Sequence, residues 1–575
     1  MDTKEKDWHE LISQPMHKKM KVLKDVSIRA RDGVRLAGNV YLPDVEGKSP
    51  ALLAYQPFGK KHEEMAFWFP PQTRPSHLWD GNLEAGDTRY VVARGYAHVV
   101  VDVRGTGESE GEFTDIMGGG EDVYDVVEWV AAQPWCDGNV GMIGISFLAA
   151  MQVNGALEQP PHLKAIFPEG GHYDAYRLHY HGGILWLMPR AASEGRGGDS
   201  AIPLRAVVSV MRKTLPKEEF ERRIKERLQD PDIRNYPNYH QMLNYPAGKG
   251  MWLDVLLNPY DGPYWWGSEK PKDFRTIKIP VHYGAQWGRG WVTDEAIDRF
   301  LEAQGPKRLV LRRPPPMQER PFHEFHDEII RWYDHWLKSK DTGVMDTPPI
   351  KLFVQGINEY RYENEWPLAR TNWTKFYLRS RHRLLPEPEQ FDAASVPPDG
   401  FYQPPLSVTN RVLSVSYATP PFEEDVEVTG PIALYLHAVI DTEDTNWIIR
   451  MFDVDPQNRK VALTSGWLKA SHREVDEAKS KPWAPYHPHV RSLPVTPGEM
   501  VEYPIKIHAL SNVFRRGHSM ELEIRNNEDP FDPLLGILPP DAFHLNTMRA
   551  TVHKIYRDRD HASYLLLPVI PRTGG

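Results

Sequence analysis

Residues 135–157 read WCDGNVGMIGISFLAAMQVNGAL. The apolar run VGMIGI (140–145) has the length and composition of a buried strand, and Ala149, Ala150, Met151, Val153 and Ala156 suit the helix that follows. Gly144-Ile145-Ser146 joins the two with no room for a loop. A strand that turns into a helix at a serine holds Oγ exposed at the sheet edge. It also aims the N–H of the next residue, Phe147, at the place where an oxyanion would develop. Leu148 stands where the pattern G-x-S-x-G has its second glycine, so a plain strand-to-helix turn capped by Ser146 is the competing expectation.

The alternation of strand and helix continues on both sides. Strands are expected at 34–42, 51–55, 97–103, 163–168, 281–285 and 308–311. Between them, EDVYDVVEWVAAQ (121–133) sets Val123, Val126, Val127 and Val130 on one helical stripe. FHDEIIRWYDHWLK (325–338) does the same with Ile329, Trp332, Tyr333, Trp336 and Leu337. This is the pattern of an α/β fold with a mostly parallel sheet, spanning about 20–345. Residues 174–268 interrupt it with a charged helix and the aromatic loop NPYDGPYWW, which together predict a helical cap over the strand ends. From 349 to 570 the texture becomes β-branched and turn-rich, as expected of a β-sandwich.

Composition removes several classes of function. A net charge of −9 over 575 residues, with no basic stripe, argues against nucleic-acid binding. No apolar run is long enough to span a bilayer, and MDTKEKDWHE lacks the apolar core of a signal peptide, so a cytoplasmic location is expected. A single cysteine, Cys136, rules out intramolecular disulfides and cysteine metal clusters. Gly118-Gly119-Gly120 lacks the Lys-Ser/Thr of a phosphate loop, and His179-x-His181 fits neither a helix face nor a third ligand, so no cofactor and no metal are expected. Eighteen tryptophans and 51 prolines suit aromatic clefts for a small-molecule substrate; a homodimer is compatible with the sequence, which leaves the oligomeric state open.

Several segments, in order, resemble the cocaine-esterase-like branch of the α/β-hydrolases, related to X-prolyl dipeptidyl-peptidases and α-amino-acid ester hydrolases. They are RDGVRLAGNVYLP (31–43), VVVDVRGTGESEGEF (99–113), the 121–147 stretch, FHDEIIRWYDHWLK, DVDPQNRKVALTSGWLKASHR (453–473) and PGEMVEYPIKIHALSNVFRRGHSMELEI (497–524). The resemblance implies an α/β-hydrolase core followed by a jelly-roll domain, and a Ser-His-Asp triad assisted by a tyrosine hydroxyl. Ser146 matches the nucleophile. The tyrosine position in the Pro-Tyr motif reads Pro57-Phe58, so the ring is kept and the hydroxyl lost. The turn that carries the acid reads Gly284-Ala285-Gln286-Trp287-Gly288, and the segment that carries the base reads Arg312-Arg313-Pro314-Pro315-Pro316-Met317.

A serine without a base is a poor nucleophile. His323, six positions beyond Met317, is the leading replacement base; His172, after the strand at 163–168, and His179 or His181 are the others. Asp294 or Glu295 could replace the acid, although the start of helix DEAIDRF would favour them for its dipole alone. His172, Gln286, Trp287 and Arg289 are expected to line the substrate pocket, with Phe58 and the Phe147 N–H at the oxyanion. Three readings follow: hydrolysis of an ester or amide of a small, partly aromatic substrate; a decarboxylation, C–C cleavage or elimination in the same pocket; or binding without catalysis.

Overall fold

The computed structural model describes residues 7–60, 84–113, 118–187, 209–245, 251–288, 290–314, 323–529 and 544–571. In the first half the strands are β1 (Met20–Arg29), β2 (Arg35–Pro43), β3 (Ser49–Gln56), β4 (Ala97–Asp102), β5 (Cys136–Met142) and β6 (Leu163–Ile166). The short hairpin β7 (Tyr180–His181) and β8 (Ile184–Leu185) comes next, then β9 (Val281–Gln286), β10 (Lys307–Arg312), β11 (Ile350–Val354) and β12 (Glu359–Glu363). All but the hairpin form one sheet in the order β1-β2-β4-β3-β5-β6-β9-β10-β11-β12. From β4 to β11 neighbouring strands are parallel, and the antiparallel β1, β2 and β12 close the edges.

Strand periodicity builds a core on each face. Leu53, Tyr55, Val99 and Val101 point into one cluster, shared with α2 (Gly120–Ala131) and α3 (Phe147–Leu157). Leu52, Ala54 and Val100 point into the other, shared with α1 (Thr88–Ala93) and the helix His326–Lys338. The valine stripe expected in 121–133 is buried as a set in α2. Chain order reverses around β3, so the ends of β3 and β5 flank a switch point, where open α/β sheets place ligands.

Between β6 and β9 the chain forms α4 (Ala175–His179), α5 (Val210–Thr214), α6 (Lys217–Arg227), α7 (Pro231–Arg234), α8 (Pro237–Asn244), α9 (Met251–Leu257) and α10 (Pro263–Trp266). Beyond β9 come α11 (Gly290–Glu302) and α12 (His326–Lys338). Among the described residues, no helix is long and apolar enough to cross a membrane.

The second sheet is formed by β13 (Asn372–Arg379), β14 (Arg383–Leu385), β15 (Asp399–Gln403), β16 (Ser414–Ala418), β17 (Val426–Ile440), β18 (Asn446–Val454), β19 (Lys460–Lys469), β20 (Met500–Phe514), β21 (Ser519–Arg525), β22 (Thr551–Tyr556) and β23 (Tyr564–Ile570). Its order is β15-β22-β17-β20-β19-β18-β21-β16-β14-β13-β23, and β23 also pairs with β17, closing the sheet on a separate core. The sequence boundary at 345–349 departs from this pairing. β11 and β12 lie beyond it yet extend the first sheet, because the α12 crossover returns the chain parallel to β10.

Candidate active site

Ser146 sits at the expected turn, with φ 59° and ψ −120°, and is the first residue of α3's cap. A positive φ at a residue with a Cβ costs about 1–3 kcal/mol and persists only where the surroundings impose it. They do so from two sides. Ile145 N–H donates to Glu84 O at 3.0 Å and Ser146 N–H to Glu169 O at 3.0 Å. Gln152, wholly buried on α3, donates to Gly144 O at 2.9 Å and accepts from Phe167 N–H at 2.8 Å, tying the turn to the end of β6. From the other face the Tyr333 hydroxyl of α12 donates to Met142 O. The Ser146 hydroxyl does not turn back to cap α3, and its residue is partly exposed among buried neighbours. The helix-cap expectation is thereby replaced by the elbow.

Leu148, the departure from the glycine pattern, has a steric account. Gly144 has φ 131°, and a Cβ there would lie 2.5 Å from Leu148 Cβ. The glycine on the strand side makes the room that the helix side has given up. Phe147 opens α3 with its N–H at the positive end of the helix, where no described residue accepts it. Phe58 follows β3 half-buried, packed against the clusters on both faces of the sheet.

The strand ends that should carry acid and base are differently occupied. Trp287 is wholly buried and donates its indole N–H to Phe353 O at 2.6 Å, so it belongs to the core beneath the site and not to a pocket wall. Gln286 is buried at the end of β9, and its carbonyl accepts from the Thr293 hydroxyl at 2.6 Å. Arg312, at the end of β10, reaches back to Glu169 with its Nε 3.1 Å from both carboxylate oxygens. It also donates to Glu328 at 2.7 Å and lies 4.3 Å from the centre of the Phe325 ring. The two carboxylates hold the Arg312 guanidinium above its usual range despite burial, and Arg312 holds Glu328 below its own. Gly284 is required beneath this pair, since a Cβ there would collide with the Glu169 carboxylate. The sequence signal for Glu169 was available: a carboxylate directly after the strand-like run LKAIFP (163–168).

His172 is partly buried near the end of β6, and its Nδ1 accepts from Trp291 Nε1–H at 3.2 Å. That bond leaves the proton of the neutral ring on Nε2, a donor posture. His323 opens the short turn His323–Phe325 before α12; its side chain, like Arg289, lies outside the described residues. His326 is buried, accepts from Asp87 N–H at 3.2 Å and stacks on Tyr90. His179 bonds to Ala175 O within its own helix, whereas His181 faces His544. Asp294 and Glu295 do not serve the helix dipole, because α11 begins four residues earlier, at Gly290. Asp294 instead accepts from His508 Nδ1 and Lys506 at 2.9 Å and from Ala509 N–H at 3.0 Å, which holds it far below the usual carboxylate range.

An elbow serine after the fifth sheet strand, a helical insertion after the sixth and a β-sandwich behind define an α/β-hydrolase with an appended sandwich. Residues 32–314 match the X-Pro dipeptidyl-peptidase (S15 family) model, and residues 342–566 match the model of that enzyme's C-terminal non-catalytic domain. The chain belongs to the cocaine-esterase-like branch of this family of serine hydrolases. It is 27% identical to the cocaine esterase of Rhodococcus sp. (strain MB1 Bresler), over 96% of this chain and 99% of that one. It is 30% identical to the Xaa-Pro dipeptidyl-peptidase of Lactobacillus delbrueckii subsp. lactis, over 51% of this chain and 37% of that one. A CocE/NonD family hydrolase from Staphylococcus aureus shares the fold with a TM-score of 0.76 at 22% identity, over 96% of this chain and 94% of that one.

Proposed function

We propose that the protein hydrolyses an ester or amide bond of a small, partly aromatic molecule by acyl transfer through Ser146. The observation that carries this reading is the strained, partly exposed serine, held at positive φ where the sheet pairing of Ile145 with Glu169 gives way at once to α3. Ser146 attacks, the Phe147 N–H holds the oxyanion, and the helices between β6 and β9 form the cap over the substrate. His323 acts as the base; the turn it opens leads directly into α12, whose Tyr333 braces the elbow strand.

The test is labelling with a fluorophosphonate, followed by peptide mapping and turnover of p-nitrophenyl esters. Label on Ser146, with label and turnover both lost in Ser146→Ala and turnover lost by orders of magnitude in His323→Ala, supports the reading. Full activity in Ser146→Ala overturns it. One observation favours a second reading, a reaction or binding event without an acyl-enzyme. The ends of β9 and β10, where acid and base belong on this fold, hold a core tryptophan and an arginine locked between two carboxylates. Unlabelled protein that still binds or converts a ligand would select it.

A further inference from the structure

A cavity of about 680 Å³ lies between α4, α10, α11 and the C-terminal sandwich, and Ser146 is not part of its wall. Trp265, Trp266, Trp291 and Trp467 give it aromatic sides. Trp291 donates its N–H to His172, which follows β6, and its ring centre lies 4.3 Å from that of His181 in the cavity wall. Five residues of this wall each carry one buried polar atom without a hydrogen-bond partner. Arg299 Nε and Glu302 Oε2 face each other in an ion pair at 3.1 Å, which leaves His181 Nε2, Glu295 Oε1 and the Tyr173 hydroxyl. Interiors rarely leave such atoms unpaired.

Two of these atoms are the unused ends of groups that are otherwise held. Glu295 Oε2 accepts from Tyr173 N–H at 2.5 Å. His181 Nδ1 lies 2.7 Å from His544 Nε2, and His544 Nδ1 lies 3.0 Å from Glu528 Oε1. Glu528 also accepts from Trp467 Nε1–H and from His544 N–H, and beside His544 it stays ionised, with its pKa lowered to about 2. His544 Nδ1 faces the Glu528 carboxylate in an ion-pair contact, and in the neutral tautomer that carries its proton on that nitrogen His544 Nε2 accepts from His181 Nδ1–H. His181 Nε2 is therefore left as a bare acceptor. Glu295 has the opposite character: burial, with Asp174 adding repulsion, pushes its pKa up to about 8 against the pull of Tyr173 N–H, Arg177 and Arg299. At neutral pH it is a carboxylic acid with a proton to give. Its neighbour Asp294 is committed to His508, Lys506 and Ala509.

We propose that this cavity is a ligand site distinct from the serine, taking a small aromatic carboxamide whose N–H meets His181 Nε2 and whose C=O meets Glu295 and the Tyr173 hydroxyl. The aromatic walls take the ring, and the acceptor and donor match the two ends of the amide.

The test titrates the full chain carrying Ser146→Ala, so that the outcome does not depend on the serine's role, with benzamide and with acetophenone, which lacks the N–H. Calorimetry should show saturable one-to-one binding of benzamide, with acetophenone weaker by about tenfold or more because His181 is left unpaired. His181→Phe should weaken benzamide by a similar factor. Raising the pH beyond 8 should weaken it by about tenfold per unit as the Glu295 proton is lost, and Glu295→Gln, which keeps a donor, should bind at pH 7 as before and lose that dependence. Should His181→Phe fail to fold, the pH profile of Glu295→Gln decides alone. Absence of saturable benzamide binding, equal affinity for acetophenone, or binding indifferent to both substitutions overturns the proposal and leaves the three polar atoms to buried water.

Discussion

Ser146 and Gly144 divide the strain of one turn. The serine takes φ 59° and remains a residue with a Cβ; the glycine takes φ 131° and has none, which admits Leu148. Gly144→Ala should therefore destabilise more than an ordinary glycine-to-alanine change, by about 1–3 kcal/mol for the backbone and about 1–3 kcal/mol for the contact with Leu148. A urea-induced unfolding midpoint close to that of the parent would show that the turn can relax. Phe58 poses the complementary question. It follows β3, where the resemblance leads one to expect an oxyanion tyrosine, and it lacks that residue's hydroxyl. Phe58→Tyr should raise kcat for a p-nitrophenyl ester by up to about 10² with little change in KM, since an oxyanion donor acts on the transition state. An unchanged kcat in a folded variant would place Phe58 away from the reacting carbonyl.

At the scale of elements, strand ends decide what the site contains. The strands themselves were legible, because β-branched and apolar runs bounded by glycine and proline admit few alternatives; β3, β4, β9 and β10 lie within a residue or two of their expected places. The elbow was legible for the same reason. The ion cluster was not: Glu169, Arg312 and Glu328 come from three elements, 143 residues separate the first two, and no local pattern links them. Trp287 misled because an indole after a strand looks alike in sequence whether it faces a cleft or, as here, donates to Phe353 O on a strand some 66 residues on. The cluster carries its own prediction. Arg312→Met leaves the buried Glu169 and the partly buried Glu328 without their shared guanidinium and should cost about 3 kcal/mol. Adding Glu169→Gln and Glu328→Gln should recover much of that loss, because an apolar or neutral set replaces the whole cluster. A melting temperature unmoved by Arg312→Met would mean that water reaches the carboxylates.

Across the whole molecule, two cores are joined by polar contacts: Gln355 bridges to Asn512, Asp294 pairs with His508, and Trp186 pairs with His544. The change of texture near 349 foretold two units, but the joints depend on side chains from both and could not be read from either. Burial across the molecule also sets the pH response. His98 and His179 are pushed down to about 4, so between pH 4 and 6.5 the unfolded chain binds more protons at them and stability rises with pH. Asp102, Asp254 and Asp261, pushed up to about 6, oppose this over much of the same range, because the folded chain holds their protons longer. Lys338, lowered to about 8 by burial, starts to lose its proton in the folded chain above pH 7 and from there adds a smaller rise of stability with pH. Between pH 7 and 8 Glu295 stands apart: its folded pKa of about 8 exceeds the unfolded value, so its stabilisation is complete at low pH and is lost as pH rises toward 8. Unfolding free energy should fall across that unit by up to about 1.4 kcal/mol, the slope of one proton. In Glu295→Gln, urea titrations at pH 7.0, 7.5 and 8.0 should lose the fall and show at most the small rise that Lys338 supplies, and a fall that survives the substitution would assign the proton to another group.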